Sequence, residues 1–476
     1  MPENKSGPAI VVGSGPNGMA AAVILAQAGL SVTVYERNEV PGGACRSAEI
    51  IQPGYIHDIG SAVHPLAIAS PFFQRLQLEN HGLKWIRPEA ALAHPFDDGT
   101  AVLLHGSISD TAAMLGGEDG KSYHKLLNPL VEHWRELDDE VMQFPRFSIR
   151  HPVTMLHFGK QALKTAAGFA RDSFSGIRAR ALIAGLGVHS VMDLEQRGSL
   201  AAGLVLATAA HTVGWPLPQG GSQKITDVLA SYLGGLGGSI VTGTEIESLE
   251  QLSPYRLCLL DVTPRQFLNI ADKHIPDSYR SKLKKYKYGP GIFKVDWILK
   301  GPVPWTAGDC ISAGTVHLGG NIDEIISAER DVMQGRHPEK PFVILAQPSL
   351  FDETRVNSNG HIAWAYCHVP NGSSFDMTER IEAQIERFAP GFKEKIVARH
   401  VMTPADIQED NPNCIGGDIT GGAQSLMRMV IPRISHETPI KNVFLCSATT
   451  PPGPGVHGSC GVRAARLALK TLYKAG

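Results

Sequence analysis

Cysteine is scarce in this 476-residue chain: seven residues (Cys45, Cys258, Cys310, Cys367, Cys414, Cys446 and Cys460) are scattered without paired spacing, and the count is odd. That excludes a disulfide framework, fits a reducing compartment, and leaves no metal-ligand spacing, so no metal is expected. Long apolar runs are missing as well. No segment reaches the roughly 18 residues that a membrane helix needs, and residues 1–6 carry no apolar core of a signal peptide, so the expected location is cytoplasmic. A formal charge of only -2 removes the electrostatic case for a polyanion, and no nucleic-acid partner is expected. There is no low-complexity linker and no repeat of useful period.

Glycine, by contrast, is plentiful. The chain has 50 glycines and 32 prolines at an ordinary 43% hydrophobic and 19% charged content, which reads as many tight turns in packed domains. Its length exceeds what one compact core accommodates, so two domains are expected. The first glycines fall in an ordered pattern: Pro8-Ala-Ile-Val-Val12, then Gly13-Ser14-Gly15-Pro16-Asn17-Gly18, an Ala-rich helix, and Ser31-Val-Thr-Val-Tyr35 closing on Glu36. This is a strand, turn, helix and strand that binds a dinucleotide. Gly13 allows the tight turn, Gly15 the approach of a pyrophosphate, and Gly18 close packing of helix on sheet, with the phosphate on the helix N-terminus. Glu36 stands where a carboxylate accepts hydrogen bonds from both hydroxyls of a ribose that carries no 2'-phosphate.

The next segment separates a nicotinamide dinucleotide from a flavin one. Arg37-Asn-Glu-Val-Pro41-Gly42-Gly43-Ala44-Cys45-Arg46 places a second glycine pair just past the acid, which suits a long, two-part cofactor. Gly42 and Gly43 would let a second loop lie against a diphosphate and ribityl chain, and Arg37 or Arg46 would offer charge-assisted hydrogen bonds to phosphate. Farther on, Gly60, Ser61 and Ala62 are small enough for a flat ring to approach the backbone.

From about Leu126 to His211 the pattern turns helical, with Met155, Phe158, Ala162, Ala166 and Phe169 spaced for one face and Lys160, Lys164, Arg171, Arg178 and Arg180 among them. Such a basic, amphipathic stretch suits peripheral contact with a membrane surface, or an ordinary solvated face of a capping domain. Residues 237–241 and 244–249 read as two short strands, and Leu257-Cys-Leu-Leu260-Asp261 as a buried strand ending at Pro264. Further strands follow near Gly291–Trp297, Pro341–Leu345 and His361–His368. The expected fold is α/β: a Rossmann-type FAD-binding domain made of residues 1–95, 215–265 and 405–476, into which an α+β substrate-binding domain of residues 96–214 and 266–404 is inserted.

At the carboxy end a buried strand, residues 443–450, runs into Pro451-Pro-Gly453-Pro-Gly455-Val456-His457-Gly458 and a last helix. With this loop the chain resembles the phytoene desaturase-like branch of the FAD-dependent amine oxidase superfamily, which includes carotenoid desaturases and the pyridine nucleotide-disulfide oxidoreductase domain-2-like proteins. The resemblance covers nearly the whole length. Its anchors are the Gly13-x-Gly15-x-x-Gly18 loop with Glu36, the Gly42-Gly43 pair, the segment near Ile246 and the Pro451 to Gly458 loop. It implies the two-domain architecture of p-hydroxybenzoate hydroxylase and the amine oxidases. It also implies FAD, with adenine near Ile246, the ribityl chain near Gly42, Gly43 and Ala44, and the flavin ring beside Gly60, Ser61 and Gly455-Val456-His457. Two departures stand out. Ala44 occupies a position where amine oxidases have Arg, and Cys446-Ser447 replaces a Gly-Asp pair.

No second Gly-x-Gly-x-x-Gly lies between a strand and a helix, so electrons are expected to leave the flavin to oxygen or a quinone. The expected reaction is dehydrogenation, or desaturation, of a hydrophobic or conjugated molecule such as an isoprenoid or carotenoid-like compound, with hydride passing to flavin N5. His457 is a candidate base or ring partner, and Lys294 corresponds loosely to a lysine that amine oxidases hold near N5. Trp364, Tyr366 and His368 alternate on one strand and would face one side, as substrate contacts or as the aromatic face of a half-buried strand. Two alternatives stand beside this reading: a flavin amine oxidase, for which the last loop supplies no Tyr, and a low-turnover flavoprotein that acts as a scaffold.

Overall fold

The computed structural model describes residues 7–143, 149–357, 360–431 and 434–474. Ala9–Val12 is buried along its whole length, as a strand covered on both faces must be. It pairs in parallel with Val32–Tyr35 on one side and Leu257–Leu260 on the other, and Ser239–Val241 and Val443–Leu445 extend these to a five-stranded parallel sheet. Helix Pro16–Gln27 follows the first strand and packs against the C-terminal helix Ser459–Lys474. The two approach closely because residue 461 is glycine: a Cβ there would lie 1.8 Å from the Asn17 carbonyl oxygen. Segments at opposite ends of the chain thereby share one layer.

A second sheet has seven strands in the order Ile396–Met402, Gly291–Leu299, His361–Val369, Val343–Ala346, Ala313–Leu318, Ala90–Pro95, Ala101–His105. All pairs are antiparallel except Ala313–Leu318 with Ala90–Pro95. Side chains alternate along the two long strands. Phe293, Val295, Trp297, Ala363, Ala365 and Cys367 join a core with Ile381, Ile385 and Phe388 of helix Thr378–Phe388. Ile292, Lys294, Trp364, Tyr366 and His368 are left on the other face. Helices Ile177–Val188, Leu200–Thr212 and Ile322–Met333 pack on that side. Among the described residues no helix is long and apolar enough to cross a membrane.

Three local expectations are corrected. Ala90–Pro95, expected at the end of the first unit, belongs to the seven-stranded sheet, because it pairs with Ala101–His105 and Ala313–Leu318. Only Ser239–Val241 of the two segments at 237–249 is a strand: Gly243, at φ 62°, turns the chain, and the Thr244 N–H donates to the Glu36 carbonyl at 2.8 Å. The apolar stripe from Met155 to Phe169 spans two helices, Pro152–Ala162 and Ala166–Ser173, because Thr165 caps the second by accepting from the Gly168 N–H at 3.0 Å.

Candidate functional site

A cavity of about 560 Å3 extends from the C-terminal ends of the parallel strands to the inner face of the seven-stranded sheet. In an open parallel sheet that end is where ligands bind, because strand ends and helix N-termini leave main-chain groups unpaired there. Gly13, Gly15, Pro16 and Asn17 line it. Gly15 is the N-cap of helix Pro16–Gln27, with no side chain capping the helix, and Asn17 Oδ1 is buried without a partner. The second glycine loop lies on the first. A Cβ on Gly43 would meet the Gly15 Cα at 3.1 Å, so only glycine lets the two backbones stack. This is a cradle suited to an anionic, phosphate-bearing ligand.

Glu36 lies on the wall, 8% exposed. Its Oε2 accepts from the Ser14 N–H (2.9 Å) and hydroxyl (2.6 Å), and its Oε1 from the Asn38 N–H (2.9 Å), which leaves Oε1 a lone pair for a ligand hydroxyl. Arg37 also lines the cavity, with Nη2 donating to the Glu409 carbonyl at 2.7 Å. Arg46 is committed to the Asp410 carboxylate. Asp261, at the end of Leu257–Leu260, accepts the Gly18 N–H at 2.9 Å. Burial, with the nearby charge of Glu36 in addition, pushes its carboxyl up to about 7.

Beyond this cradle the cavity passes Ala44, Gly60 and Ser61 on one side and Gly455 and Val456 on the other, then opens on the seven-stranded sheet. The Ser61 N–H donates to the Ala44 carbonyl at 3.1 Å, which ties the second glycine loop to the small-residue segment. On the sheet, Trp364, Tyr366 and His368 do share one face, and the first two rings stack at 5.8 Å and 16°. Lys294 is directly across from Tyr366. Its ammonium donates to the buried Asp296 carboxylate and stands 5.5 Å from the centre of the Trp364 ring. Burial raises the Asp296 carboxyl, but the charge and hydrogen bond of Lys294 together with those of neighbouring His57 outweigh it and hold the group below its usual range. His368 Nδ1 is 2.8 Å from Glu329 of helix Ile322–Met333. Burial opposes the charged ring, while the Glu329 charge and hydrogen bond raise its pKa, with a net upward shift. His189 lines the cavity beside Trp215, and its Nε2 is 3.0 Å from His317 Nε2.

The cavity wall therefore brings together Gly13, Gly15, Pro16, Asn17, Glu36, Arg37, Gly43, Ala44, Gly60, Ser61, Ile246, Lys294, Trp364, Tyr366, His368, Gly455 and Val456. Ser14, Gly18 and Gly42 lie behind it: the Ser14 hydroxyl accepts from the Gly42 N–H at 2.9 Å and so links the two glycine loops. His457 is also displaced from its expected place. It is not on the wall, its Nδ1 accepts from the Ser459 N–H at 3.0 Å, and burial pushes its imidazole down to about 4. A neutral ring engaged in this way secures the loop and is not placed to take a proton from the cavity. Sequence reasoning passed over Asp261, Asp296, Glu329, His189 and His317. For Asp261 a signal was present, a carboxylate ending a buried parallel strand. Glu329 shows only as a charged residue on the apolar stripe of a helix.

Residues 11–76 match the model of the NAD(P)-binding Rossmann-like domain. The chain is 24% identical to pyridine nucleotide-disulfide oxidoreductase domain-containing protein 2 of Rattus norvegicus, over 98% of this chain and 93% of that protein. It is 22% identical to the neurosporene-forming phytoene desaturase of Rhodobacter capsulatus, over 96% and 92%. Cyclohexylamine oxidase from Brevibacterium oxydans has the same fold, with a TM-score of 0.59 at 14% identity over 98% of this chain and 99% of that one. The chain is thus an oxidoreductase homologous to the first two, with a Rossmann-like domain and a second domain arranged as in the cyclohexylamine oxidase.

Proposed function

We propose that the chain is an FAD-dependent oxidoreductase that dehydrogenates a hydrophobic or conjugated small molecule, such as an isoprenoid or carotenoid-like compound. One observation carries the reading: the same cavity is a glycine-built dinucleotide cradle at one end and an aromatic, apolar chamber at the other. The residues present fit FAD. Gly13, Gly15, Asn17 and Gly43 would hold the diphosphate, Glu36 the ribose, Arg37 and Ile246 the adenine end, and Ala44, Gly60, Ser61, Gly455 and Val456 the ring. Bound there, FAD would supply the acceptor for a hydride from a substrate carbon. The chain's own part is to position and to exclude water. Trp364 and Tyr366 offer a flat wall to a conjugated body, and Ile292, Ile344 and Met402 keep the chamber dry.

The single glycine fingerprint supports oxygen or a quinone as electron acceptor, with no nicotinamide domain in between. Amine oxidation is the second reading, supported by the fold shared with the cyclohexylamine oxidase. Peripheral membrane contact is also part of the proposal. Val153, Leu156, Leu163 and Ile177 are exposed, whereas Arg171 and Arg178 are paired with Asp323 and Asp98, so contact would rest on apolar insertion more than on anionic lipid. The test is direct. Purified protein should be yellow and release FAD on denaturation, and under anaerobic conditions its flavin should bleach with a conjugated isoprenoid but not with alkylamines. A colourless protein overturns the cofactor; bleaching by amines alone overturns the substrate.

A further inference from the structure

The chamber that would hold the substrate is not lined by hydrocarbon alone. Three polar rings meet at its sheet end, and their hydrogen bonds sort them into donors. His368 is 3% exposed, and its Nδ1 is occupied by Glu329, so Nε2–H is the ring's remaining group for a ligand. His189 and His317 share one proton between their Nε2 atoms. His317 Nδ1 is buried with no partner, and an unpaired lone pair there costs less than an unpaired N–H, so His317 carries its proton on Nε2 and donates it to His189. That tautomer gives His189 its own proton on Nδ1, the ring nitrogen it has left for the cavity. Burial, then the charge on His368, push His189 down to about 4, which keeps it a neutral donor, and the two rings line the same cavity. Tyr366, 6.0 Å from His368 between ring centres, adds a hydroxyl.

Building on the proposed FAD dehydrogenase, we infer that its substrate joins a conjugated or aromatic body to an oxygen acceptor, a carbonyl or carboxylate, which His368 and His189 bind as paired N–H donors. The body lies along Trp364 and Tyr366, and the oxygen lies toward the two histidines. A plain hydrocarbon would leave both donors dry and unpaired, which costs more than a missed contact. An ammonium would bring a donor against donors. His368 and His189 are substrate-positioning groups in this scheme, and Glu329 orients His368 and favours its charged form. The groups facing His368 are Glu329 from helix Ile322–Met333, Asp418 from the loop before the last strand, His189 from the end of helix Ile177–Val188 and Tyr366 from its own strand. Asp418 is itself satisfied by the Gly289 and Thr420 N–H groups at 2.7 Å each.

Four ligands with one skeleton test this on the purified protein by calorimetric titration: cinnamate, cinnamaldehyde, β-methylstyrene and cinnamylamine. The two oxygenated ligands should bind about tenfold or more tightly than the hydrocarbon and the amine, as expected for hydrogen bonds from a charged donor. Cinnamate affinity should fall as pH rises through the raised pKa of His368, while β-methylstyrene affinity stays level. His368→Gln and Glu329→Gln should each remove that pH dependence. The wild-type titrations stand by themselves if a variant fails to fold. Equal binding of all four ligands, tightest binding of the amine, or a pH dependence unchanged in both folded variants overturns the inference. Each of these is read on protein whose flavin content has first been measured, so a protein without FAD refutes the cofactor reading instead.

Discussion

At the residue scale, two buried carboxylates give opposite expectations. Burial pushes Asp261 up to about 7, so the folded chain holds this proton more tightly than the unfolded one. The contribution of this group to stability is therefore fullest below its unfolded value of about 3.9, falls as pH rises between the two values, and stays lowered above. Asp261→Asn keeps an oxygen for the Gly18 N–H and removes the titration. Relative to wild type it should gain stability between about pH 4 and 7, by up to ~4 kcal/mol, and denaturant unfolding at the two pH values checks it. Glu36, by contrast, stays on the cavity wall with three donors turned to it. Glu36→Ala removes the proposed ribose contact and leaves those donors unpaired, and FAD affinity should drop about tenfold to a hundredfold in a fluorescence titration.

At the element scale, the crossing of helices Pro16–Gln27 and Ser459–Lys474 governs the cradle. A methyl at residue 461 would strike the Asn17 carbonyl, and Asn17 lies at the mouth of the cradle. Gly461→Ala should therefore cost about 1–3 kcal/mol, lower Tm by several degrees, and reduce bound flavin in step, seen by thermal melts and by the absorbance of the purified variant. The aromatic strand His361–Val369 governs the other end. Trp364→Ala removes one of two stacked rings, and Kd for a conjugated ligand should rise about threefold to tenfold without loss of flavin.

At the scale of the whole molecule, the cavity is lined by the N-terminal loops, the segment at Ile246, the C-terminal loop and the second sheet together. A ligand that touches all of them couples their stability. Free FAD at about a hundred times its Kd should stabilise the chain by about 2.7 kcal/mol and raise Tm in a single transition, whereas protein stripped of flavin should melt lower. A Tm indifferent to added FAD would count against both the cofactor and the coupling.

What could be read from residue order was what depends on neighbours in the chain. Gly13 to Gly18, Glu36 and the Gly42-Gly43 pair act through turns and strand ends, and the common face of Trp364, Tyr366 and His368 follows from the two-residue repeat of a strand. The tertiary structure alone decided what depends on distant partners. It assigned Ala90–Pro95 to the second sheet through pairing with Ala313–Leu318, set His457 behind the loop, and gave His368 its Glu329. Spacing along the backbone sets local geometry, but burial and charge at a site come from packing between segments whose separation in sequence carries no distance.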